Sequence, residues 1–357
     1  MDNKYLEAFL HATEEYQRLG IAEQIDYQKF YLYSIITHST AIEGSTVTEV
    51  ENQLLFDEGL SAKGRTMVEQ LMNIDLKAAY EHSMSLAEEH TPFSIPMLKE
   101  LSALVMKNTG SKYSTLMGDF DSSQGDLRLV NVTAGAGGQS YMNYMKVPSR
   151  LQNFCDQMND RRKALSSHHD LMEEYLLSFD AHNVLVAIHP WVDGNGRMSR
   201  LVMNHIQYEF GLVPTKVMQE DKAEYIQALI ASRKEESMEP FRLFMVKEHT
   251  RNLIQEIDAY KKSISEDATP KVDKKGGQET TEVDKKPMPR GVATRQKILV
   301  LISSNNRITT TEMASRLGIN RSALSKHLKV MQKAGVIRHE GSTKSGCWVV
   351  TNNDGRH

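Results

Sequence analysis

"HPWVDGNGRMSR", residues 189–200, sets a histidine, an acid, an asparagine between two glycines and two arginines between apolar helical segments. A loop that only joins two helices needs none of these side chains. Gly194, Asn195 and Gly196 let the backbone turn tightly with its N–H groups converging. A helix beginning at Asn195 or Gly196 adds its positive end, so the stretch predicts an anion site. Arg197 and Arg200 lie three apart, on one helix face from which both reach that site, and arginine forks match phosphate oxygens. Asp193 would repel a bare phosphate but suits one that carries Mg²⁺. His189, just before the turn, can act as a general base near neutral pH. Taken singly, each feature has a plainer reading: a structural histidine, a solvated arginine pair, an ordinary DGNG turn. Their coincidence in one strict order points instead to a Mg-nucleotide site with a base beside it.

Around this stretch the chain reads as a soluble protein of two or three domains in 357 residues. No run approaches the roughly 18 apolar residues of a membrane span, and the acidic start MDNKYLEAF does not resemble a signal peptide. Cys155 and Cys347 show no metal-type spacing, which predicts a reducing, cytoplasmic setting. Charge is divided unevenly. From Arg290 onward 12 Lys/Arg stand against 3 Asp/Glu, or +9, and the residues before it carry 31 against 43, or −12. One end of the chain is built to meet something anionic.

Up to about residue 264 the pattern is helical. Leu71, Met72, Ile74, Leu76, Ala79 and Leu86 recur at helical spacing, as do Met97, Leu98, Leu101, Leu104 and Val105 after the start signal TPFS. A helix over 166–188 is expected to run into the motif, another to leave it and stop at Gly211, and two more to span about 220–234 and 238–263. The exception is "LRLVNVTAGAGGQSYMNYMKV", residues 127–147, where β-branched and aromatic residues flank a glycine cluster and predict a hairpin. Its GAGG has no Gly-Lys-Ser/Thr after it, as a Walker-type loop would. "SEDATPKVDKKGGQETTEVDKKPMPRG" is charged and poor in apolar residues, and reads as a linker.

The motif resembles the signature of the Fic family, His-Pro-Phe-x-Asp/Glu-Gly-Asn-Gly-Arg-x-x-Arg, with Trp191 in place of the usual phenylalanine. The resemblance covers about residues 1–260. It implies a mainly α protein: a Fic-fold helical bundle with one β-hairpin flap. It also implies transfer of AMP from Mg-ATP to a Ser, Thr or Tyr hydroxyl of a protein, the chain itself among the candidates. His189 would take the hydroxyl proton, Asp193 would hold Mg²⁺, Gly194, Asn195 and Gly196 would cradle phosphates, and Arg197 and Arg200 would bind the outer ones. The hairpin, with Gly137 and Gly138, would border the nucleotide and pair with the target chain. Tyr225 in "AEYIQAL" matches a position that lines the base pocket in relatives, and is otherwise a core tyrosine. Transfer of another nucleotide or group, removal of AMP, and a regulator that only senses a nucleotide remain as alternatives. A homodimer is compatible with all of them, and no membrane is implied.

"STAIEGS", residues 39–45, is the second informative stretch. By itself Glu43-Gly44 reads as the exposed end of an amphipathic helix with Gly44 as its cap. Ser39-x-x-x-Glu43-Gly44 is also similar to the Fic inhibitory motif, on a helix expected around 30–44. That resemblance implies that Glu43 pairs with Arg200 and misaligns ATP.

At the C-terminus, "TRQKILVLISSN", "TTTEMASRLG" and "NRSALSKHLKVMQKAG" read as three short helices, and "VIRHEGSTKSGCWVVT" as two strands about a turn. Together they look like a winged helix-turn-helix, a small α+β module. Arg321, Ser322, Ser325, Lys326 and Lys329 on its second motif helix, and Lys344 on the wing, are the candidate DNA contacts. Winged helices also serve as protein-docking modules. The expected organisation is therefore an N-terminal helical region over 1–90, a catalytic core over 91–263, a linker over 264–290 and a winged helix over 291–357.

Overall fold

A computed structural model describes residues 3–24, 26–134, 138, 140–267, 298, 302, 308–317, 321–333, 337–340 and 347–350. The chain divides into two compact units, Met1–Pro270 and Lys271–His357. Among the described residues the first unit has ten helices: α1 (Asn3–Arg18), α2 (Tyr27–Ile42), α3 (Glu49–Glu58), α4 (Met67–Glu88), α5 (Ile95–Val105), α6 (Val147–Ser166), α7 (Leu171–Ile188), α8 (Asn195–Glu209), α9 (Lys222–Glu235) and α10 (Glu239–Asp267).

Local chemistry sets several boundaries. Thr48 with Glu51, and Thr66 with Glu69, form capping boxes at the heads of α3 and α4. Ser94, within the start signal TPFS, caps α5. The helix expected from residue 166 begins instead at Leu171, because the Asp170 carboxylate accepts from Met172 N and Glu173 N. α8 ends at Glu209, and Gly211 beyond it takes the left-handed backbone (φ 67°) that the expected stop required.

Of the predicted hairpin over 127–147, residues 135–137 and 139 lie outside the described residues. Among the described residues its pairing is one antiparallel bridge, Thr133 with Ser140, supported by Tyr141 N donating to Val132 O at 3.0 Å. Val147, read as its last strand residue, opens α6, where Pro148 in the first turn needs no N–H partner. The regular ribbon lies upstream: β1 (Lys112–Thr115) pairs antiparallel with β2 (Gly118–Asp121). No Asn-Gly or Asp-Gly marked that turn. Thr115 makes it, its hydroxyl donating to Gly118 O and accepting from Met117 N.

α7 and α8 form the centre of the unit. Both are buried on almost every side, and the apolar pattern of α7 accordingly shows no single face. One core cluster joins Ile35 and Ile36 of α2, Leu76 of α4, Leu101 of α5, Phe154 of α6, Leu185 of α7 and Leu201 of α8. A second joins Phe9, Ile42, Phe179, Met203, Tyr225 and Phe241. The turn between α7 and α8 thus hangs from two immobilised helices, with the C-terminal end of α2 beside it.

The second unit contains α11 (Thr310–Leu317), α12 (Arg321–Lys333) and an antiparallel pair, β3 (Ile337–Glu340) with β4 (Cys347–Val350). Ile298, Ile302, Ile308, Met313, Leu324, Leu328, Met331, Ile337 and Trp348 make its own core. The expected first helix, apart from Ile298 and Ile302, lies outside the described residues, as do most of the expected linker, Gly137 and Lys344.

Candidate active site

His189 closes α7 in a left-handed conformation (φ 53°, ψ 62°), unusual for a residue with a side chain. Pro190 follows, so the helix cannot continue. The strained turn is held by a residue that the sequence reading passed over. Arg128, 1 % exposed, donates from Nε to His189 O at 2.8 Å, from Nη1 to Val130 O at 2.7 Å and from Nη2 to Met142 O at 2.5 Å. One guanidinium fork therefore fastens the loop after residue 128 to the motif. Its only trace in sequence is a lone arginine inside the apolar run DLRLVN.

The His189 ring is half-buried. Its Nδ1 lies 3.3 Å from Val186 O, which leaves Nε2 as the acceptor when Nδ1 carries the proton. Tyr141 stacks on it, with ring centroids 3.7 Å apart and planes at 13°. Desolvation pushes the imidazole down to about 4; Arg128 adds to this, and the Val186 carbonyl and Asp193 oppose it. His189 is thus a neutral imidazole at pH 7.

Trp191 is completely buried, as an anchor in place of phenylalanine should be, and donates from Nε1 to Gly125 O at 3.1 Å. The Asn195 side chain staples the turn: Trp191 N donates to its Oδ1 and its Nδ2 donates to Trp191 O. Asn195 can therefore offer a ligand its backbone but not its amide. Gly194 precedes α8 at φ 79°, a value reserved for residues without Cβ. Asp193 folds back onto Gly194 N at 2.6 Å, and its side chain is 66 % exposed.

The two arginines of the motif, expected to act together, diverge. Arg197, 2 % exposed, points beneath the turn to Val105 O (3.3 Å) at the C-terminal end of α5 and to Met106 Sδ (3.1 Å), with Asp193 at 3.8 Å. Arg200 points to the end of α2. Its Nε donates to Ser39 Oγ at 2.8 Å, and its Nη2 to Ser39 O at 2.9 Å and to Glu43 Oε1 at 2.5 Å. Partial burial works against the Glu43 charge, but Arg200, with Arg197 further off, holds its carboxyl below the usual range. Glu43 follows the last turn of α2, and Gly44 takes φ 106°. A Cβ placed on Gly196 would lie 2.4 Å from Glu43 Oε1, so the carboxylate rests on bare backbone in the first turn of α8. The head of α8, where an anion was expected, is occupied by a carboxylate of the same chain.

Tyr225 lies behind Arg200. It is 2 % exposed, and its hydroxyl meets Arg200 Nη1 at 3.3 Å and His182 Nε2 at 2.9 Å. Its neighbours Ile226, Leu229 and Arg233 do line a cavity of about 950 Å³, which Tyr141, Asn183 and Gly138 help to close. Arg233 holds the loop there, donating to Ser140 O with its guanidinium over the Tyr141 ring. Among the described residues no group of three or more His, Cys, Asp or Glu could hold a metal.

Residues 92–207 match the Fic/DOC family and residues 293–338 match a winged helix-turn-helix DNA-binding family. The chain carries a Fic domain. It is 25 % identical over 291 residues to protein adenylyltransferase fic-1 of Caenorhabditis elegans, covering 80 % of this chain and 53 % of that protein. It is 29 % identical over 195 residues to protein adenylyltransferase Fic of Drosophila willistoni, covering 53 % and 34 %. The chain thus spans about half or less of the length of these curated relatives. The structure of Fic-1 from C. elegans matches with a TM-score of 0.58 at 22 % identity over 73 % of this chain and 74 % of that one. A Fic family protein from Desulfovibrio desulfuricans G20 matches at 0.52 and 16 % identity over 98 % and 97 %. Both likenesses are of fold, that of a Fic-fold helical protein.

In the winged helix, Arg321 opens α12 and Ser322, Ser325, Lys326 and Lys329 lie along it, with Ser325 and Lys329 exposed. Leu324, Leu328 and Met331 point into the core, as the apolar spacing of that helix predicts. No helix among the described residues is long and apolar enough to cross a membrane.

Proposed function

We propose that this chain is a protein adenylyltransferase held inactive by its own Glu43, with a DNA-binding winged helix joined to it. The observation that carries the reading is the Glu43 carboxylate seated on Gly196 and Arg200 at the head of α8. A polyphosphate needs the same positive helix end and the same guanidinium. The names of the curated relatives support AMP as the group transferred.

In this reading the target hydroxyl, of Ser, Thr or Tyr, approaches His189. The imidazole Nε2 takes its proton as the oxygen attacks the α-phosphorus of ATP, the bond to the bridging oxygen breaks, and pyrophosphate leaves. The N–H groups of Asn195 and Gly196 face the phosphates, Arg200 holds the outermost one, and Arg197 adds positive potential from below. Such positioning and electrostatics supply most of the rate in phosphoryl chemistry. Asp193, exposed and the lone acid of the turn, would hold Mg²⁺ together with the phosphates; one protein carboxylate suits an ion that keeps most of its other ligands as phosphate and water. Bound there, the ion neutralises charge on the phosphate oxygens. The cavity beside Tyr141 takes the base and ribose, and the loop over 127–147 would pair with a target strand.

Glu43 blocks this without blocking the cavity. ATP bound with its outer phosphate displaced from Arg200 has its α-phosphorus out of line, and about 1 Å of misplacement costs on the order of a hundredfold in rate. Removing Glu43 is tolerable to the fold because Arg200 keeps Ser39 Oγ, Ser39 O and Tyr225 as acceptors.

The test is intact-mass measurement after incubation with Mg-ATP. Glu43→Gly is expected to gain one or more AMP units, and the parent chain and Glu43→Gly/His189→Ala none. Glu43→Gly with an adduct no larger than the parent's would remove the brake. For the winged helix, the full chain is expected to bind duplex DNA with a steep salt dependence. Lys329→Gln should lower the slope of log affinity against log salt by about 1, and an unchanged slope would favour a protein-docking role.

A further inference from the structure

Arg200 is gripped from two sides, and the two grips do different things. Ser39 and Glu43 hold Nε and Nη2 from α2. Nη1 is held from the opposite side by the Tyr225 hydroxyl, and this same Nη1 would lie 3.2 Å from a Cβ placed on Gly196. It therefore borders the anion site. When Glu43 leaves, Nη2 loses one of its two acceptors and keeps Ser39 O, while Nη1 stays where Tyr225 puts it.

The direction of the hydrogen bonds at Tyr225 follows from what each partner can do. Arginine only donates, so the Tyr225 oxygen accepts from Nη1. The hydroxyl proton then has His182 Nε2, 2.9 Å away, as its acceptor when the His182 proton sits on Nδ1. His182 is completely buried, and burial pushes its imidazole well below the ordinary range, so it remains a neutral acceptor. Its ring stacks on Phe241 (centroids 4.8 Å, planes at 20°), which leaves it one orientation. Its Nδ1 has no hydrogen-bond partner in the structure. An apolar ring at 182 would fill the same space without stranding that N–H. The polar side chain is accounted for by the one contact it makes, to Tyr225.

We infer that Tyr225 and His182 are positioning residues that aim Arg200 Nη1 at the outermost phosphate once Glu43 has withdrawn. The inference rests on the reading above, in which Arg200 meets that phosphate. Neither residue touches the nucleotide; they act through Arg200. Their effect falls on the ligand that reaches Arg200 and spares one that does not, a split that a general loss of packing would not produce.

The experiment is a calorimetric titration of full-length Glu43→Gly protein with ATP and with ADP, in Mg²⁺, repeated with Tyr225→Phe, His182→Phe or His182→Gln added. Glu43→Gly is expected to bind ATP more tightly than ADP. Tyr225→Phe, which keeps the ring, is expected to reduce that preference about tenfold or more, the scale of a hydrogen bond to a charged group. His182→Phe should do the same, and His182→Gln, whose amide oxygen can accept from Tyr225, should restore most of it. ADP affinity stays level throughout and reports that the site is folded. If the ATP preference survives both Tyr225→Phe and His182→Phe, or if ATP and ADP weaken together, the positioning role is overturned while the Arg200 reading stands. If Glu43→Gly protein itself binds ATP and ADP alike, Arg200 does not meet the outer phosphate, and both fall together.

Discussion

The two sides of the motif are built differently. On the side proposed to meet phosphate, Arg200 is 3 % exposed and its side chain is fixed by Ser39, Glu43 and Tyr225, so the guanidinium itself is locked. On the base side the lock is on the backbone: Arg128 clamps the His189 carbonyl, while the imidazole makes one long contact to Val186 O and stacks on Tyr141. A group that binds fixed charge gains from rigidity in its side chain. A proton acceptor must meet a hydroxyl delivered by another molecule, and needs a fixed origin with a free nitrogen.

The comparison breaks first on His189. In the Glu43→Gly background, His189→Ala is expected to lower AMP transfer by about 10²–10⁴-fold, with ATP affinity by calorimetry within a fewfold of its parent. A matching loss of ATP affinity would place His189 on the phosphate side after all.

Next is pH. His189 is pushed down to about 4, and His205 and His249, buried in the same unit, to about 3, in each case chiefly by desolvation. Their folded values lie below the unfolded one near 6.5, so between these values the unfolded chain binds more protons and stability falls as pH falls. Urea unfolding is expected to be level above pH 6.5 and to weaken steadily toward pH 4. His189 accounts for on the order of 2–3 kcal/mol of that loss. Its replacement by Ala should flatten the curve by this share; an unchanged curve would mean that the imidazole is solvated in the folded chain.

The smallest effect sharpens the phosphate side. Gly196→Ala puts a methyl group into the space of Glu43 Oε1 and is expected to destabilise the parent by about 1–2 kcal/mol. In Glu43→Gly the same change should cost little, giving a coupling of similar size in a double-mutant cycle. Additive losses would mean that the carboxylate does not rest on Gly196.

Some of this was legible and some was not, for a reason visible in particular residues. The turn at 189–200 is local: its glycines, Pro190 and the Asn195 staple act within a few residues of one another, so their order carries their geometry. The pairing of Arg200 with Glu43 spans 157 positions and was approached only through a resemblance. Arg128 reaches His189 across 61 positions and His182 reaches Tyr225 across 43, with no periodicity to announce either. The expected hairpin over 127–147 shows one antiparallel bridge, Thr133 with Ser140, among its described residues. The regular ribbon over 112–121 was not legible because it depends on the Thr115 hydroxyl at a turn that lacks the usual residues.

The sequence by itself thus determined a mainly helical chain with a tight glycine turn, a histidine before it and a basic winged helix, because each follows from neighbours in the chain. Only the tertiary structure decided that Arg197 turns to α5 while Arg200 turns to α2. Only it seated Glu43 on Gly196, and it alone put Tyr225 behind the arginine. Those outcomes depend on which helices pack around α8, and residues three apart on a fully buried helix face different neighbours.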